Sequence, residues 1–261
     1  MRVASAFLNV LNLKQVIFLI KIASINGTSL NLTILQEKMS YDPIPLPHRI
    51  KIEKNEVLKV VHDYYDHMCK RHSVRNFSKE SVSSEILEKI IETAGRAPSG
   101  ANQQPWHFVA IKNQEMKAKI RSAAENEEHA FYSGKGHDDW ISALEPIGTD
   151  ASKPHLTDAP WLIVIFAERY GFNKDGSRRK NYYVNESVGI ATGFLISAIH
   201  NAGLVCLTHT PNPMKFLNSM CKRPINEKPI MILPVGYASV DATIPKASTN
   251  KKLLSEIMTV I

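Results

Sequence analysis

The chain has 261 residues, of which 44% are hydrophobic and 22% are charged. This balance is typical of one globular α/β domain with an extension, and it argues against a disordered chain. The formal net charge is +7 at pH 7, but the basic residues form no stripe with interleaved aromatic side chains. We therefore expect no nucleic-acid partner, and the positive charge fits a small anionic ligand equally well.

The three cysteines, Cys69, Cys206 and Cys221, lie far apart and form no Cys-x-x-Cys pair. Such spacing predicts neither a zinc site nor a disulfide framework, and it is typical of a reducing compartment. We expect no metal site in this chain.

A proline-rich stretch, Tyr41–Pro47, divides the chain into a predicted N-terminal extension over residues 1–41 and a predicted domain over residues 42–261. Three prolines and an aspartate within seven residues are typical of a linker. The domain boundary is therefore expected at this linker.

The extension contains two apolar stretches, but Lys14 separates them and Lys21 interrupts the second. A membrane-spanning helix has about 20 apolar residues with few charges, and a signal peptide has its charge ahead of one uninterrupted apolar core. The sequence fits neither template well. Two alternatives stay open: an imperfect membrane anchor over residues 1–25 that leaves the larger domain facing the cytoplasm, or a plain extension.

Two amphipathic helices are predicted at the start of the domain, over Glu56–Lys70 and Ser83–Gly95. Ser83 or Ser84 can cap the second helix, and Glu85 suits the positive end of its dipole. The apolar face of the first helix consists of Val57, Val60, Val61, Tyr64, Tyr65 and Met68, and that of the second consists of Ile86, Leu87, Ile90, Ile91 and Ala94. Both faces have the spacing of a helix that packs against another element.

Short apolar runs of strand type alternate with further helical segments along the rest of the domain. The predicted strands are Trp106–Ile111, Trp161–Ala167, Leu204–Leu207 and Ile230–Val235, and the predicted helices are Met116–Tyr132 and Glu186–Asn201. Alternation of this kind indicates an α/β or α+β domain built around a central sheet.

The stretch Ser133–Asp158 has a different character, with glycines, prolines, mixed polarity and weak periodicity. A long irregular segment inside a compact domain is usually functional and is often a lid. We therefore predict a lid over residues 126–158.

Two segments carry residue types that suit binding of a phosphate group. In the run from Arg71 to Arg75, guanidinium groups offer planar bidentate donation and Ser73 adds a hydroxyl. In the loop Ala97–Trp106, small residues around Ser99 let backbone N–H groups approach a ligand. Taken alone, the arginine run is equally well explained as the solvated basic end of a helix. The small-residue loop, taken alone, is equally well explained as an ordinary connection between a helix and a strand.

The order and spacing of these motifs resemble the FMN-dependent nitroreductase superfamily, and within it the iodotyrosine deiodinase branch. The resemblance extends from near Ile44 to Ile261. The motifs that carry it are Arg-x-Ser-Val-Arg-x-Phe, Ala-Pro-Ser-Gly-x-x-x-x-Pro-Trp, Asn201–Val205, Thr208–Pro211, Arg223-Pro224 and Leu233–Tyr237.

The resemblance implies an α+β nitroreductase-like fold, with a central, mostly antiparallel sheet flanked by helices, in an intertwined homodimer with FMN at the subunit interface. It implies FMN-dependent reductive dehalogenation of mono- and dihalotyrosines, such as iodotyrosine to tyrosine and iodide, with electrons from an NADPH-dependent donor. The alternatives are a broad FMN nitroreductase or quinone reductase on the same fold, or a flavin-binding or halotyrosine-binding protein without catalytic activity.

The resemblance also implies which residues contact the flavin, and Thr210 matches a threonine whose hydroxyl bonds flavin N5, so it is the predicted catalytic group. The implied flavin contacts are Arg71, His72, Ser73, Val74, Arg75, Pro98, Ser99, Gly100, Thr208, His209, Thr210 and Lys251. Two of them depart from the branch. His72 occupies a position at which the branch commonly has a second arginine. Lys251 or Lys252 occupies the region in which the branch has a phosphate-binding arginine, and a lysine there supplies charge without the bidentate geometry of a guanidinium group.

Four residues match the substrate contacts of the branch. Glu128, Tyr132 and Lys153 match a clamp for the zwitterionic end of a free amino acid, and the backbone amide of Ala101 matches a contact for the phenolate. The spacing of Glu128 and Tyr132 places both on one helix face. Glutamate suits an α-ammonium group and lysine an α-carboxylate, a pairing that nitroarenes do not need. A solvated acidic run with a distant surface lysine is the alternative.

Overall fold

The computed structural model describes residues 41–135 and 138–261. Residues 41–52 have no regular secondary structure, and Glu53–Ile261 form one compact unit. Among the described helices, none is long and apolar enough to cross a membrane. The predicted anchor over residues 1–25 lies outside the described residues, and the boundary after residue 41 stays a prediction.

The secondary structure follows the predicted alternation. The helices are α1 (Val57–Cys69), α2 (Ser84–Ala94), α3 (Gln114–Ala130), α4 (Asp138–Leu144), α5 (His155–Asp158), α6 (Val184–Asn201), α7 (Phe216–Met220) and α8 (Leu254–Ile257). The strands are β1 (Trp106–Ile111), β2 (Trp161–Glu168), β3 (Tyr170–Phe172), β4 (Arg178–Lys180), β5 (Val205–Cys206) and β6 (Glu227–Gly236).

The central sheet has the strand order β1-β2-β6-β5, and each of these neighbouring pairs is antiparallel. Trp106 pairs with Ala167 at one end of the β1–β2 ladder and Ile111 with Leu162 at the other. Strands β3 and β4 form a separate antiparallel ribbon. The prediction of a mostly antiparallel sheet flanked by helices is confirmed.

Strand β2 has an unbroken apolar sequence because helices cover both faces of the sheet, and alternate residues enter different cores. Ile163 and Ile165 pack with residues of α2 and α6 on one face. Leu162 and Val164 pack with residues of α3, α5 and α7 on the other. The protein is therefore layered as helices, sheet and helices.

The stretch after α3 is more ordered than predicted. A single π turn over Phe131–Lys135 continues α3, and α4, a 3₁₀ turn over Glu145–Ile147 and α5 follow. The expectation of an irregular segment is wrong here because each helix is too short to repeat an apolar pattern. Tertiary contacts hold these turns instead, such as the edge-to-face packing of Trp140 on Phe131 with ring centroids 5.0 Å apart.

The predicted apolar face of α1 is not part of the core. Its large side chains are mostly exposed, and so are apolar side chains of α6 and of the C-terminal segment. The exposed residues are Val57, Val60, Val61, Tyr64 and Tyr65 on α1, Ile190 and Phe194 on α6, and Leu253, Leu254 and Ile257 near the C-terminus. Groups of exposed apolar side chains of this kind mark an interaction surface in many proteins.

Candidate active site

A cavity of about 200 Å³ opens where the end of α3, the segment from Trp140 to His155, and the stretch from Leu207 to Asn212 meet. It brings together residues that lie far apart in the sequence. The predicted site residues among those that line it are Arg75, Glu128, Tyr132, Lys153, Thr208, His209 and Thr210.

Glu128 and Lys153 form an ion pair at one side of the cavity, with 3.2 Å between Oε2 and Nζ. The Lys153 side chain is only 4% exposed and that of Glu128 16%. The Lys153 ammonium also donates to Thr149 Oγ1 at 3.0 Å and to the Asp150 carbonyl. The charge is buried together with three acceptors, which is the condition under which burial of an ammonium group is tolerated.

Tyr132 completes the predicted clamp. The π turn carries its side chain to the cavity, where the hydroxyl donates to the Thr149 carbonyl at 3.1 Å and the Lys153 ammonium lies 5.9 Å from the ring centroid. Burial and the nearby Glu128 carboxylate raise the pKa of Tyr132. The phenol is therefore a neutral hydrogen-bonding group beside one carboxylate and one ammonium group.

Part of the cavity lining is apolar. Phe131, Trp140, Leu144 and Ile147 form this part, and Phe131 stacks edge-to-face on Trp140. Such a lining suits the ring of an aromatic ligand, and the polar groups of the clamp can fix its orientation. The cavity therefore has the residues for a ligand with one aromatic end and one zwitterionic end.

Thr208 and Thr210 flank His209 on a stretch that pairs with β6. The His209 N–H donates to the Ile232 carbonyl at 2.9 Å, and the Ile232 N–H donates to the His209 carbonyl at 2.8 Å. Because side chains alternate along extended backbone, His209 is buried while the threonines on either side are exposed. This fixes both threonine hydroxyls on the side away from the buried imidazole.

His209 and His155 both line the cavity and contact each other, with ring centroids 5.4 Å apart and an angle of 73° between the ring planes. Burial, helped by the charges of Lys153 and Arg75, lowers the pKa of each to about 3. Both imidazoles are therefore neutral near pH 7. Their Nε2 atoms are buried and have no partner among the described residues.

Arg75 faces the cavity with its Nε atom buried and without a partner among the described residues. Burial lowers the pKa of its guanidinium group, opposed by the neighbouring Tyr132. An unpaired, buried guanidinium nitrogen is costly, so an anionic or carbonyl acceptor from a ligand would suit this position.

The rest of the arginine run lies beside β5. The Val74 N–H donates to the Cys206 carbonyl at 3.2 Å, and Ser73 forms a parallel bridge with Cys206. Val74 is buried, whereas Arg71 and His72 are partly exposed. The run is thus fixed next to the stretch that carries Thr208 and Thr210, but of its five residues only Arg75 lines the cavity.

The small-residue loop and the C-terminal lysine are not brought to the cavity within one chain. Gly100 packs against α6 and the residues before it, and a Cβ atom there would lie 2.6 Å from the Tyr182 carbonyl oxygen. Ala101 has a φ of 49°, a strained conformation for alanine that is common at binding loops. Lys251 is exposed, and its ammonium donates to the Ser248 carbonyl at 2.7 Å.

Pro98 and Ser99 precede this tight packing, and the Ser99 hydroxyl accepts the Gln104 N–H at 2.9 Å. Pro98 is exposed and Ser99 partly so. Their predicted flavin contacts, those of Gly100 and Lys251, and the predicted substrate contact of Ala101 stay predictions. No group of three or more metal-ligating side chains occurs within residues 41–135 and 138–261.

Three functional residues were not found from the sequence. Thr149 accepts hydrogen bonds from both Lys153 and Tyr132, and it lies in the weakly patterned stretch, where no signal marks it. Trp140 lines the cavity and comes from the same stretch. Glu125 accepts the Lys153 backbone N–H at 2.7 Å, whereas in the sequence it belongs to a run of acidic residues.

Comparison with known proteins gives consistent matches. The model of the nitroreductase family matches residues 68–237. An iodotyrosine deiodinase from Haliscomenobacter hydrossis is 47% identical over 215 residues, which cover 82% of this chain and 97% of that protein. Iodotyrosine deiodinase 1 from Homo sapiens is 40% identical over 227 residues, which cover 87% of this chain and 78% of that protein.

Solved structures are similar as well. A crystal structure of oxidised iodotyrosine deiodinase bound to FMN and 3-iodo-L-tyrosine matches with a TM-score of 0.62 and 30% identity, over 73% of this chain and 95% of that chain. A BluB-like flavoprotein from Clostridium difficile 630 matches with a TM-score of 0.57 and 22% identity, over 76% of this chain and 98% of that chain. The second similarity is one of fold alone.

Proposed function

Because the chain belongs to the nitroreductase family, and within it to the iodotyrosine deiodinases, we propose that it catalyses FMN-dependent reductive dehalogenation of mono- and dihalotyrosines. The reaction consumes a halotyrosine, two electrons and one proton, and it yields tyrosine and a halide ion. The broad nitroreductase and the non-catalytic binding protein are the alternatives.

The buried clamp is the observation that carries this proposal. Glu128, Lys153 and Tyr132 present a carboxylate, an ammonium group and a phenol to one cavity whose lining is partly apolar. A free amino acid with an aromatic side chain has the complementary groups, whereas a nitroarene or a quinone has no ammonium group for Glu128. A site that serves uncharged substrates does not need a buried ion pair, which is costly to desolvate.

The residues around Arg75 fit a flavin. Its buried, unpaired Nε atom needs an acceptor, and an isoalloxazine ring carries carbonyl oxygens of that kind. Arg71 and Ser73 on the same run suit the phosphate, with Lys251 as a further cation. FMN when bound and reduced supplies the two electrons that replace the carbon–halogen bond with a carbon–hydrogen bond.

The residues of this chain bind and orient the substrate. Glu128 accepts the α-ammonium group, Lys153 and Tyr132 hold the α-carboxylate, and the apolar lining around Trp140 covers the ring. The exposed hydroxyl of Thr210 is the group that would donate to flavin N5. When the clamp closes, the segment that carries Lys153 excludes water from the ring.

A homodimer is part of the proposal, supported by the exposed apolar faces of α1, α6 and the C-terminal segment. It also accounts for the position of Pro98, Ser99, Gly100 and Ala101, which lie outside the cavity of their own chain. In a dimer, this loop can contact the flavin of the partner subunit. An NADPH-dependent donor as the source of electrons and an anchor over residues 1–25 stay predictions.

The proposal is tested with the purified full chain. Its visible spectrum should show bound FMN, and titration with 3-iodotyrosine at micromolar concentrations should perturb that spectrum or quench the flavin fluorescence. A colourless protein that takes up no added FMN would contradict the flavin site. Bound FMN with no response to iodotyrosine, but with turnover of nitroarenes, would instead support the broad nitroreductase.

A further inference from the structure

One face of α3 carries polar side chains at every third or fourth position, and the first three of them contact Thr157 and Ala159. Gln114 Nε2 donates to the Thr157 carbonyl at 3.3 Å, Lys117 Nζ to the Ala159 carbonyl at 2.6 Å, and Arg121 Nη1 to Thr157 Oγ1 at 2.9 Å. This spacing keeps the side chains in one row on the helix. The row continues into Glu125 and then into Glu128 of the clamp.

Glu125 is the member of this row that accepts the backbone N–H of Lys153. Its Oε1 atom accepts both the Lys153 backbone N–H at 2.7 Å and Arg121 Nε at 2.8 Å. Burial would raise the pKa of Glu125, but these two hydrogen bonds and the charge of Arg121 outweigh it and lower the pKa. The carboxylate is therefore ionised and held in place at neutral pH.

The consequence is geometric. Glu128 lies one helical turn after Glu125 on α3, whereas Lys153 belongs to a separate segment 25 residues further on. The bond from the Lys153 N–H to Glu125 ties the lysine backbone to the helix that presents the Glu128 carboxylate. Without that bond, the distance between the clamp's two charges depends on a segment of short helices and turns.

We propose that Glu125 is a positioning residue for the halotyrosine clamp, which fixes Lys153 opposite Glu128 and so sets the affinity for the zwitterionic end of the substrate. This inference rests on the proposed function for its substrate. The side chain of Glu125 does not line the cavity, so it acts through Lys153 and not by touching the ligand.

The test compares Glu125→Ala, Glu125→Gln and the control Glu115→Ala in the FMN-loaded full chain. Glutamine keeps a carbonyl oxygen that can accept both N–H groups, whereas alanine removes the acceptor. Glu115 is an exposed residue near the start of the same helix, so its replacement makes the same change of charge. Hydrogen exchange of residues 149–158 and the Kd for 3-iodotyrosine are measured for each variant, together with kcat and KM for iodide release.

Glu125→Ala should speed exchange in residues 149–158 and raise the Kd and KM about 10- to 100-fold, the usual effect of losing a hydrogen bond to a charged group. The FMN content and kcat at saturating substrate should stay close to those of the unmodified protein. Glu125→Gln should recover most of the affinity, and Glu115→Ala should change nothing.

Unchanged exchange in Glu125→Ala would overturn the positioning role, since that measurement needs no substrate. Faster exchange with an unchanged Kd would show that Lys153 moves without consequence for binding, which also overturns the inference. If the unmodified protein binds no iodotyrosine while exchange still responds to Glu125→Ala, the proposed function fails and the substrate role of Glu125 fails with it. The two failures are therefore distinguishable.

Discussion

The ammonium group of Lys153 is almost completely buried, and Glu128, Thr149 and Asp150 provide its acceptors. Without a substrate, Glu128 and Lys153 satisfy one another. A halotyrosine zwitterion can replace that pairing with two new ones, to its own ammonium and carboxylate groups. The clamp therefore recognises a substrate by exchanging partners, with no change in the net charge that is buried.

The first prediction follows from this exchange. Glu128→Gln keeps the shape of the side chain but removes its negative charge, so the substrate ammonium group loses its counter-ion and Lys153 loses its carboxylate. We expect the Kd for 3-iodotyrosine to rise about 10-fold or more, since hydrogen bonds to charged groups contribute about 1.5–3 kcal/mol. Fluorescence titration measures the change, and the FMN content should stay the same.

The matched control for this variant is Glu115→Gln, which makes the same replacement on the exposed part of the same helix. An equal Kd for Glu128→Gln and the unmodified protein would mean that the carboxylate does not bind the substrate.

The second prediction concerns acid stability. The pKa values of His155 and His209 are about 3 in the folded chain, and they are about 6.5 for an unperturbed histidine. Between these values the unfolded chain binds more protons than the folded chain, so stability is complete above pH 6.5 and falls as the pH drops toward 3. Each histidine contributes a slope of at most about 1.4 kcal/mol per pH unit.

Urea unfolding between pH 4.5 and pH 7.5 measures this slope. This pH range lies above that in which most carboxylates titrate. Replacing both histidines with glutamine should flatten the dependence, and replacing the exposed His62 with glutamine should leave it unchanged. A slope that survives in the double variant would show that these buried imidazoles are not its cause.

At the scale of residues, the sequence predicted side chains whose type and order match the branch, and the structure brings seven of them to one cavity. Glu125, Thr149 and Trp140 were missed because their roles depend on contacts between segments that no local pattern encodes. Thr149 acts through a backbone carbonyl as well as its hydroxyl, and every residue has such a carbonyl.

The third prediction concerns α2, for which the sequence left two capping residues open. In the structure, Ser83 Oγ accepts the Ile86 N–H at 3.3 Å, and Ser84 is the first helical residue. Ser83→Ala should lower the free energy of unfolding by about 1 kcal/mol. Ser84→Ala is the control and should be neutral or slightly stabilising because alanine favours helix interiors. Chemical unfolding measures both changes in the free energy of unfolding, and equal changes for the two variants would contradict the assignment of Ser83 as the capping residue.

At the scale of elements, the four strands of the central sheet were predicted, helped by the unbroken apolar run that burial on both faces gives β2. The β3–β4 ribbon was not predicted. Helices of ten residues or more were predicted because they repeat their apolar pattern. The helices in the segment after α3 were not predicted, because α4 has only 7 residues and α5 only 4. Elements this short depend on tertiary contacts such as that between Trp140 and Phe131.

The fourth prediction concerns the whole molecule. If α1, α6 and the C-terminal segment form a dimer interface, the protein should have twice the chain mass in solution. Phe194→Asp places a charge on the exposed face of α6 and should shift the protein toward monomers, with weaker FMN retention. Phe172→Asp, at a comparably exposed phenylalanine on the β3–β4 ribbon, is the control. Sedimentation equilibrium distinguishes dimers from monomers for each variant. A monomeric unmodified protein would contradict the dimer interface.

At this scale, the sequence indicated the α+β architecture through its alternation of elements. It could not show that the apolar stripe of α1 stays exposed, because a stripe has the same spacing whether it meets its own core or a partner. The position of the Gly100 loop outside the cavity is consistent with the same partner.

The most direct test of the proposed function is iodide release in a single anaerobic turnover. The FMN-loaded chain is reduced with dithionite, mixed with 3-iodotyrosine, and analysed for iodide and tyrosine. We expect equal amounts of both products, and with Glu128→Gln the same products only at much higher substrate concentration. Binding of iodotyrosine to the reduced protein without release of iodide would contradict the proposed function.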